Sequence, residues 1–187
     1  MSAECETKPE ASPTTLNVVS GATQSHAVRF APGSDLVTSL LEAARQAMAN
    51  AKTESAFVLT AVGSLSDVTL RMAATDNKEG SEDSVDINSN PTKKRKKGSA
   101  SLSEATSLEV RQFSKHFEIV SLVGTFSSEG GRHLHMSVSD AEGIVLGGPV
   151  MSGTVFTTLE LVLGTIHKVS FTRNMDVATG YKELSVE

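Results

Sequence analysis

Residues 130–149 read Gly130-Gly131-Arg132-His133-Leu134-His135-Met136-Ser137-Val138-Ser139-Asp140-Ala141-Glu142-Gly143-Ile144-Val145-Leu146-Gly147-Gly148-Pro149. From 133 to 139 the side chains alternate. Leu134, Met136 and Val138 fall on one face; His133, His135, Ser137 and Ser139 fall on the other. A period of two marks a half-buried strand. Asp140-Ala141-Glu142-Gly143 supplies a tight turn, with Gly143 free to take positive φ at a bulge. Ile144-Val145-Leu146 is the return strand. Gly147-Gly148 ends it where the backbone bends or is approached closely. Two imidazoles therefore project from one strand toward the same side, beside a glycine-rich bend.

The flanking sequence extends this β pattern in both directions. His26-Ala27-Val28-Arg29-Phe30 reads as a short strand closed by Pro32-Gly33. A helix follows, with Ser34 or Asp35 suited to the N-cap. Val37, Leu40, Leu41, Ala44 and Met48 then recur at helical spacing, while Glu42, Arg45 and Gln46 face away. Ala56–Val62 is a near-continuous apolar run, as in a strand covered on both faces. Gly63–Asp67 breaks it, and Val68–Ala73 alternates again. Phe117–Phe126 and Val155–Gly164 read as further strands, and Val169–Arg173 as a last core strand. Periodicity alone predicts the α+β class: a mostly antiparallel β-sheet with one long packed α-helix.

Composition narrows the functional classes. The chain has 187 residues and a formal net charge of −5, which argues against a surface coated in cations for nucleic acid, though not against a local patch. One cysteine, Cys5, excludes a disulfide framework and fits a reducing compartment. No apolar run reaches the roughly 18 residues of a membrane span, so no membrane is expected as a partner. The first fifteen residues have neither a secretory core nor Arg-rich amphipathic character, and the expected location is nucleus or cytoplasm. Residues 1–22 are too polar to offset ordering entropy and are expected to form a disordered tail. The same composition returns at 75–107, which is expected to be a disordered charged insertion within a domain spanning 25–187. Its first half is acidic. Its second half carries Lys93-Lys94-Arg95-Lys96-Lys97 after Pro91-Thr92, the pattern of a nuclear-import signal. The plain alternative is a solvated charge block. As a DNA contact it would give weak, salt-sensitive, non-specific binding.

Several ordered motifs together resemble one family. Gly-Gly-x-His-Leu-His, Ser-Asp-x-x-Gly and Gly-Gly at 130–148 are similar to the PPC domain, shared by plants and prokaryotes and best known from plant AT-hook nuclear proteins. Arg29–Leu36, the Gly-Ser-Leu turn at 63–65 before Leu70-Arg71, Phe-Glu-Ile-x-Ser-Leu-x-Gly at 117–124, and Asp-x-x-Thr-Gly-Tyr-x-Glu-Leu at 176–184 fit the same pattern. The resemblance implies a PPC-like fold and a homotrimer. It implies a non-enzymatic interaction module, a nuclear adaptor for chromatin or transcription proteins. The AT-hook core Arg-Gly-Arg-Pro does not occur in this chain, so the part of the plant proteins that reads DNA is missing.

The same resemblance frames the candidate site. In many prokaryotic members the second Gly-Gly is followed by histidine, and three histidines look like a zinc site. Here that position is Pro149, which has no side-chain donor. His133 and His135 alone fall short of the three or four ligands zinc needs, unless His116, His167, Glu160 or Glu183 comes near. The expectation is no cofactor, with zinc as the alternative. Arg29, Arg71, Arg173 and Glu183 lie at strand ends of the matched motifs. They could line a pocket with the two histidines, or form interfacial ion pairs that fix register. No catalytic residue is expected: the nucleophile elbow, the phosphate loop and the dinucleotide-binding turn are all absent from the sequence. The competing reading is a metal- or small-molecule-binding protein, or an enzyme, working through that pocket.

Overall fold

In the computed structural model, residues 17–73 and 109–187 are described. Among them are eight strands and one helix: β1 (Thr23–Phe30), α1 (Leu36–Ala51), β2 (Ser55–Arg71), β3 (Val110–Phe113), β4 (Phe117–Ser127), β5 (Arg132–Ser139), β6 (Val145–Ile166), β7 (Phe171–Met175) and β8 (Lys182–Val186). This is the expected α+β arrangement. The helix begins at Asp35, whose carboxylate accepts the Thr38 N–H at 2.8 Å. That capping bond holds the Asp35 carboxyl below the usual carboxylate range. Lys52 ends the helix in the left-handed conformation.

Six strands form one antiparallel sheet in the order β1-β6-β5-β4-β2-β3, and β2 also pairs with β6. The circuit β2-β4-β5-β6 therefore closes on itself. Closure needs long, strongly bent strands, since a bulge turns a strand and raises its twist. β2 shifts register against β6 at four places, two of them flanking Leu65. The segment Gly63–Asp67, expected to break the strand, is instead a bulged bend inside it. Gly63 sits at φ +147°, and a Cβ there would meet Leu159 Cα at 2.7 Å. Gly147-Gly148 likewise does not end a strand: β6 runs 22 residues through it. The return strand starts at Val145, one residue later than expected, because Ile144 belongs to the turn and donates its N–H to Asp140.

The core lies between α1 and the inner face of this circuit. Leu36, Leu40, Ala44, Ala47 and Met48 of the helix join Leu65, Leu122, Met136, Leu159 and Leu161 of the strands in one buried cluster. Helix residues one turn apart meet sheet residues two apart, so the two periods coincide on one apolar surface. β7 departs from expectation. Val169 and Phe171 are buried, yet β7 pairs only with β8, as a separate two-stranded ribbon. Antiparallel pairing from Phe171↔Val186 to Met175↔Lys182 carries Glu183 opposite Asn174.

The expected tail is partly placed. Residues 1–16 lie outside the described residues. Asn17 donates to the Val186 carbonyl at 2.8 Å, and the Ala22 carbonyl accepts the His167 N–H at 2.8 Å. The expected insertion at 75–107 also lies outside the described residues. Its flanks meet: Arg71 pairs with Val110, and Met72 N–H donates to Glu109 at 2.7 Å. Among the described residues, no helix is long and apolar enough to cross a membrane.

Candidate functional site on the outer face of the β5 strand

β5 sits between β4 and β6. Leu134, Met136 and Val138 point into the core and are buried, leaving His133 and His135 on the outer face. In register, His133 lies opposite Thr125 and His135 opposite Val123 on β4; on the other side His135 lies opposite Pro149 of β6. Residues directly opposite share a face of the sheet, so Pro149 flanks the His135 ring. The two imidazoles turn toward each other, with Nε2 atoms 3.0 Å apart and ring centroids 5.0 Å apart. One Nε2–H donates to the other, bare Nε2, so the pair holds a single proton between its facing nitrogens.

The β7-β8 ribbon closes the site from the side. Arg173 Nη2 donates to Thr125 Oγ1 at 2.8 Å. Its Nε is buried and donates to nothing among the described residues. Glu183 lies alongside, its carboxylate accepting from Thr179 Oγ1 at 3.0 Å. Together these groups line an open depression of about 280 Å³, walled by Val123 and Leu184. Gly131 explains part of the motif. A Cβ there would crowd Ser127 Oγ at 2.5 Å and touch the Arg173 stem at 3.4 Å. The glycine lets the guanidinium arm lie against β5.

The electrostatics are lopsided. Burial, followed by the charges of Arg173, His135 and Arg71, pushes the His133 pKa below its ordinary value; Glu183 opposes this. Burial also lowers the Arg173 pKa, again opposed by Glu183. The structure thus brings His133, His135, Arg173 and Glu183 to one depression and puts the Arg71 charge within reach of it. Arg29 goes elsewhere. It lies opposite Glu160, donates Nε–H to Thr158 Oγ1 at 2.9 Å, and lines a separate groove between β1, β2 and the C-terminal part of β6. His116 stacks on Phe156 at 3.8 Å, and His167 follows the end of β6. Lys93, Lys94, Arg95, Lys96 and Lys97 lie outside the described residues. Sequence reasoning passed over Thr125, which anchors Arg173. Its only signal was a polar residue between Gly124 and Phe126.

Among the described residues, no group of three or more His, Cys, Asp or Glu side chains is placed to hold an ion. Pro149 faces His135 without a donor atom, and the charge of Arg173 disfavours a cation in the same depression.

The fold and site define a single-helix antiparallel β domain with a shallow, cationic, imidazole-bearing depression on its outer face. The chain belongs to the Plants and Prokaryotes Conserved (PCC) domain family, whose pattern matches residues 18–167. The bifunctional protein GlmU of a Synechococcus strain is 33% identical over 168 residues, covering 89% of this chain but 21% of that protein. The chain thus spans about a fifth of the length of the curated relatives it matches. A Salmonella protein of known structure is 28% identical, with a TM-score of 0.67 over 90% of this chain and 96% of that one. Two more distant structures share the fold. One is a metal-containing protein of Archaeoglobus fulgidus, at 18% identity and TM-score 0.63, covering 91% of this chain and 99% of that one. The other, from Bacteroides thetaiotaomicron, is named as a candidate DNA-binding protein; it is 16% identical with a TM-score of 0.59, over 88% of this chain and 96% of that one.

Proposed function

We propose that this chain is a non-enzymatic interaction module that assembles as a homotrimer and serves as a nuclear adaptor for chromatin or transcription proteins. The observation that carries the assembly is an apolar strip on the outer face of the sheet. Val28, Leu59, Val62, Val120, Val123 and Phe156 are all large and exposed, Val62 and Val120 at 55% each. Part of the strip is concave: Val28, Val62, Leu161 and Val162 line a groove of about 470 Å³ with Arg29 and Glu160 at its polar edge. Exposed apolar surface of this kind marks an interaction site, and closed symmetry is the common way for identical chains to cover it. The Synechococcus relatives carry the matched segment as about a fifth of a larger protein, which suits a domain that attaches rather than catalyses.

Multi-angle light scattering should give three times the chain mass. Val62→Lys, which sets a charge in the groove, should lower that mass without unfolding the domain; a monomer at every concentration removes the assembly. The adaptor role rests on the basic block at 93–97. A fluorescent fusion should be nuclear and become diffuse when Lys94 and Arg95 are changed to Ala. Any DNA binding should be weak, non-specific and lost steeply with salt. The alternative is a metal- or small-molecule-binding protein, or an enzyme, using the depression at His133 and His135. Stoichiometric zinc in the purified protein would favour it.

A further inference from the structure

The depression at β5 combines three features that no interaction role requires. First, Arg173 is half-buried, yet no carboxylate lies within ion-pair distance of it among the described residues. Glu183, the nearest acid by its electrostatic effect, accepts a hydrogen bond from Thr179 Oγ1 instead. A partly desolvated guanidinium without an anionic partner is costly, and the cost is recovered when an anion accepts its protons. Second, one of its donors, Nε–H, is buried and unused. Its Nη2 keeps a second proton after the bond to Thr125. Third, the charges of Arg173 and Arg71 both reach His133, against the single opposing carboxylate of Glu183. The His133–His135 pair keeps one N–H besides the proton shared between its facing nitrogens. This local surplus of cations sits in a chain whose formal net charge is −5.

We propose that this depression is a receptor site for a small organic carboxylate, held by Arg173 and Thr125 with the His133–His135 pair at its rim. The Nη2 proton left over after the bond to Thr125 supplies a charge-assisted donor for a carboxylate oxygen, while the buried Nε–H stays out of reach. Val123 and Leu184 form apolar walls against which a short hydrocarbon body lies. That wall favours a carboxylate over inorganic phosphate, whose oxygens would face hydrocarbon on two sides. Pro149 belongs to the same arrangement: where a third imidazole would recruit a cation, it leaves an apolar, donor-free edge beside His135. Every group named belongs to one chain; Val123 is shared with the exposed apolar surface of the trimer reading, so binding and assembly mass are read separately.

The test uses the full chain at fixed ionic strength and pH 7. Propionate, inorganic phosphate and chloride are titrated while the ring signals of His133 and His135 are followed by NMR. Propionate should give saturable shifts at both rings and a rise in the unfolding midpoint; phosphate should bind less tightly, and chloride should give no saturation. Arg173→Gln should weaken propionate binding at least about tenfold, the effect of losing a charge-assisted hydrogen bond. Arg71→Gln, at the strand end, gives a second, milder variant should Arg173→Gln fail to fold. Equal responses to propionate and chloride would reduce the effect to charge screening and overturn the proposal. Saturation by phosphate but not propionate would overturn the carboxylate assignment. An Arg173→Gln protein of altered assembly mass and unchanged propionate affinity would place Arg173 in a subunit contact and overturn it as well.

Discussion

Pro149→His should turn this chain from a weak zinc binder into a moderate one. The geometry is already two-thirds present. Nitrogens about 2.0–2.1 Å from a tetrahedral zinc stand roughly 3.3 Å from each other, and the Nε2 atoms of His133 and His135 are 3.0 Å apart. Pro149 lies opposite His135 in the β5-β6 register, so an imidazole introduced there starts on the same face. Four-ligand structural zinc sites contribute about 10–16 kcal/mol, or roughly 3–4 kcal/mol per ligand. The guanidinium charges of Arg173 and Arg71 oppose a cation by about 1–2 kcal/mol at an effective dielectric near 20. The net gain is about 2 kcal/mol, on the order of thirtyfold in Kd. Zinc ligands must be neutral imidazoles, so the gain should be full above about pH 6.5 and fade below it. His133, whose pKa is held low chiefly by burial, should stay a neutral ligand to lower pH than an ordinary imidazole. Isothermal titration of zinc into both proteins measures the difference. Tight binding by the unmodified chain would mean that another residue supplies the third ligand. Equally weak binding by both would mean that the β6 register at Pro149 does not deliver a side chain to the histidines.

Three further outcomes follow from the same structure. Gly124→Ala should destabilise the domain: Gly124 sits at φ +148°, and a Cβ there would overlap the His133 carbonyl and lie 2.9 Å from Leu134 Cα. Backbone strain and overpacking together suggest about 3 kcal/mol, or roughly 6–12 °C in the thermal midpoint; a change under about 2 °C would discredit the β4-β5 register. Replacing residues 75–107 with a short Gly/Ser linker should leave the midpoint within a few degrees, because Arg71↔Val110 and Met72→Glu109 already bring the ends together; insoluble protein would show that the segment packs. Asp35→Ala should cost about 1 kcal/mol by removing the cap on Thr38. Since the folded pKa of Asp35 is depressed, that contribution is present above about pH 3.9 and lost as pH falls through the folded value, so wild-type and variant melting curves should converge in acid.

The elements were legible in the sequence, but their joints were less so. Alternation at 133–139 and the helical stripe from Val37 to Met48 were readable because burial there follows a single period. The same rule misled at Gly63–Asp67 and Gly147-Gly148. Glycine in a polar stretch usually stops a strand; here it lets a continuing strand bend while another backbone passes close by. The Arg71 carbonyl, for example, lies against Gly148. β7 read as a core strand because Val169 and Phe171 are apolar, but pairing partners are a tertiary property that local pattern does not encode. At the site, the strand period was enough to put both histidines on one face. It could not separate Arg173, which reaches them, from Arg29, which lies beside the C-terminal part of β6. That distinction depends on how the circuit closes.

The closure also sets an order in time. β1 pairs with the last residues of β6, Thr23 with Ile166 and Phe30 with Leu159, and β2 leans on β6 along most of its length. A ribosome releases β1, α1 and β2 long before β6 exists. At about 5–20 residues per second, the interval between Phe30 and Ile166 is on the order of ten seconds. Throughout it, Leu36, Leu40 and Leu65 have no finished surface to cover them. Nascent chains should therefore need a holding chaperone until β6 emerges, and stalled chains ending before residue 145 should remain protease-sensitive however well the finished domain resists digestion.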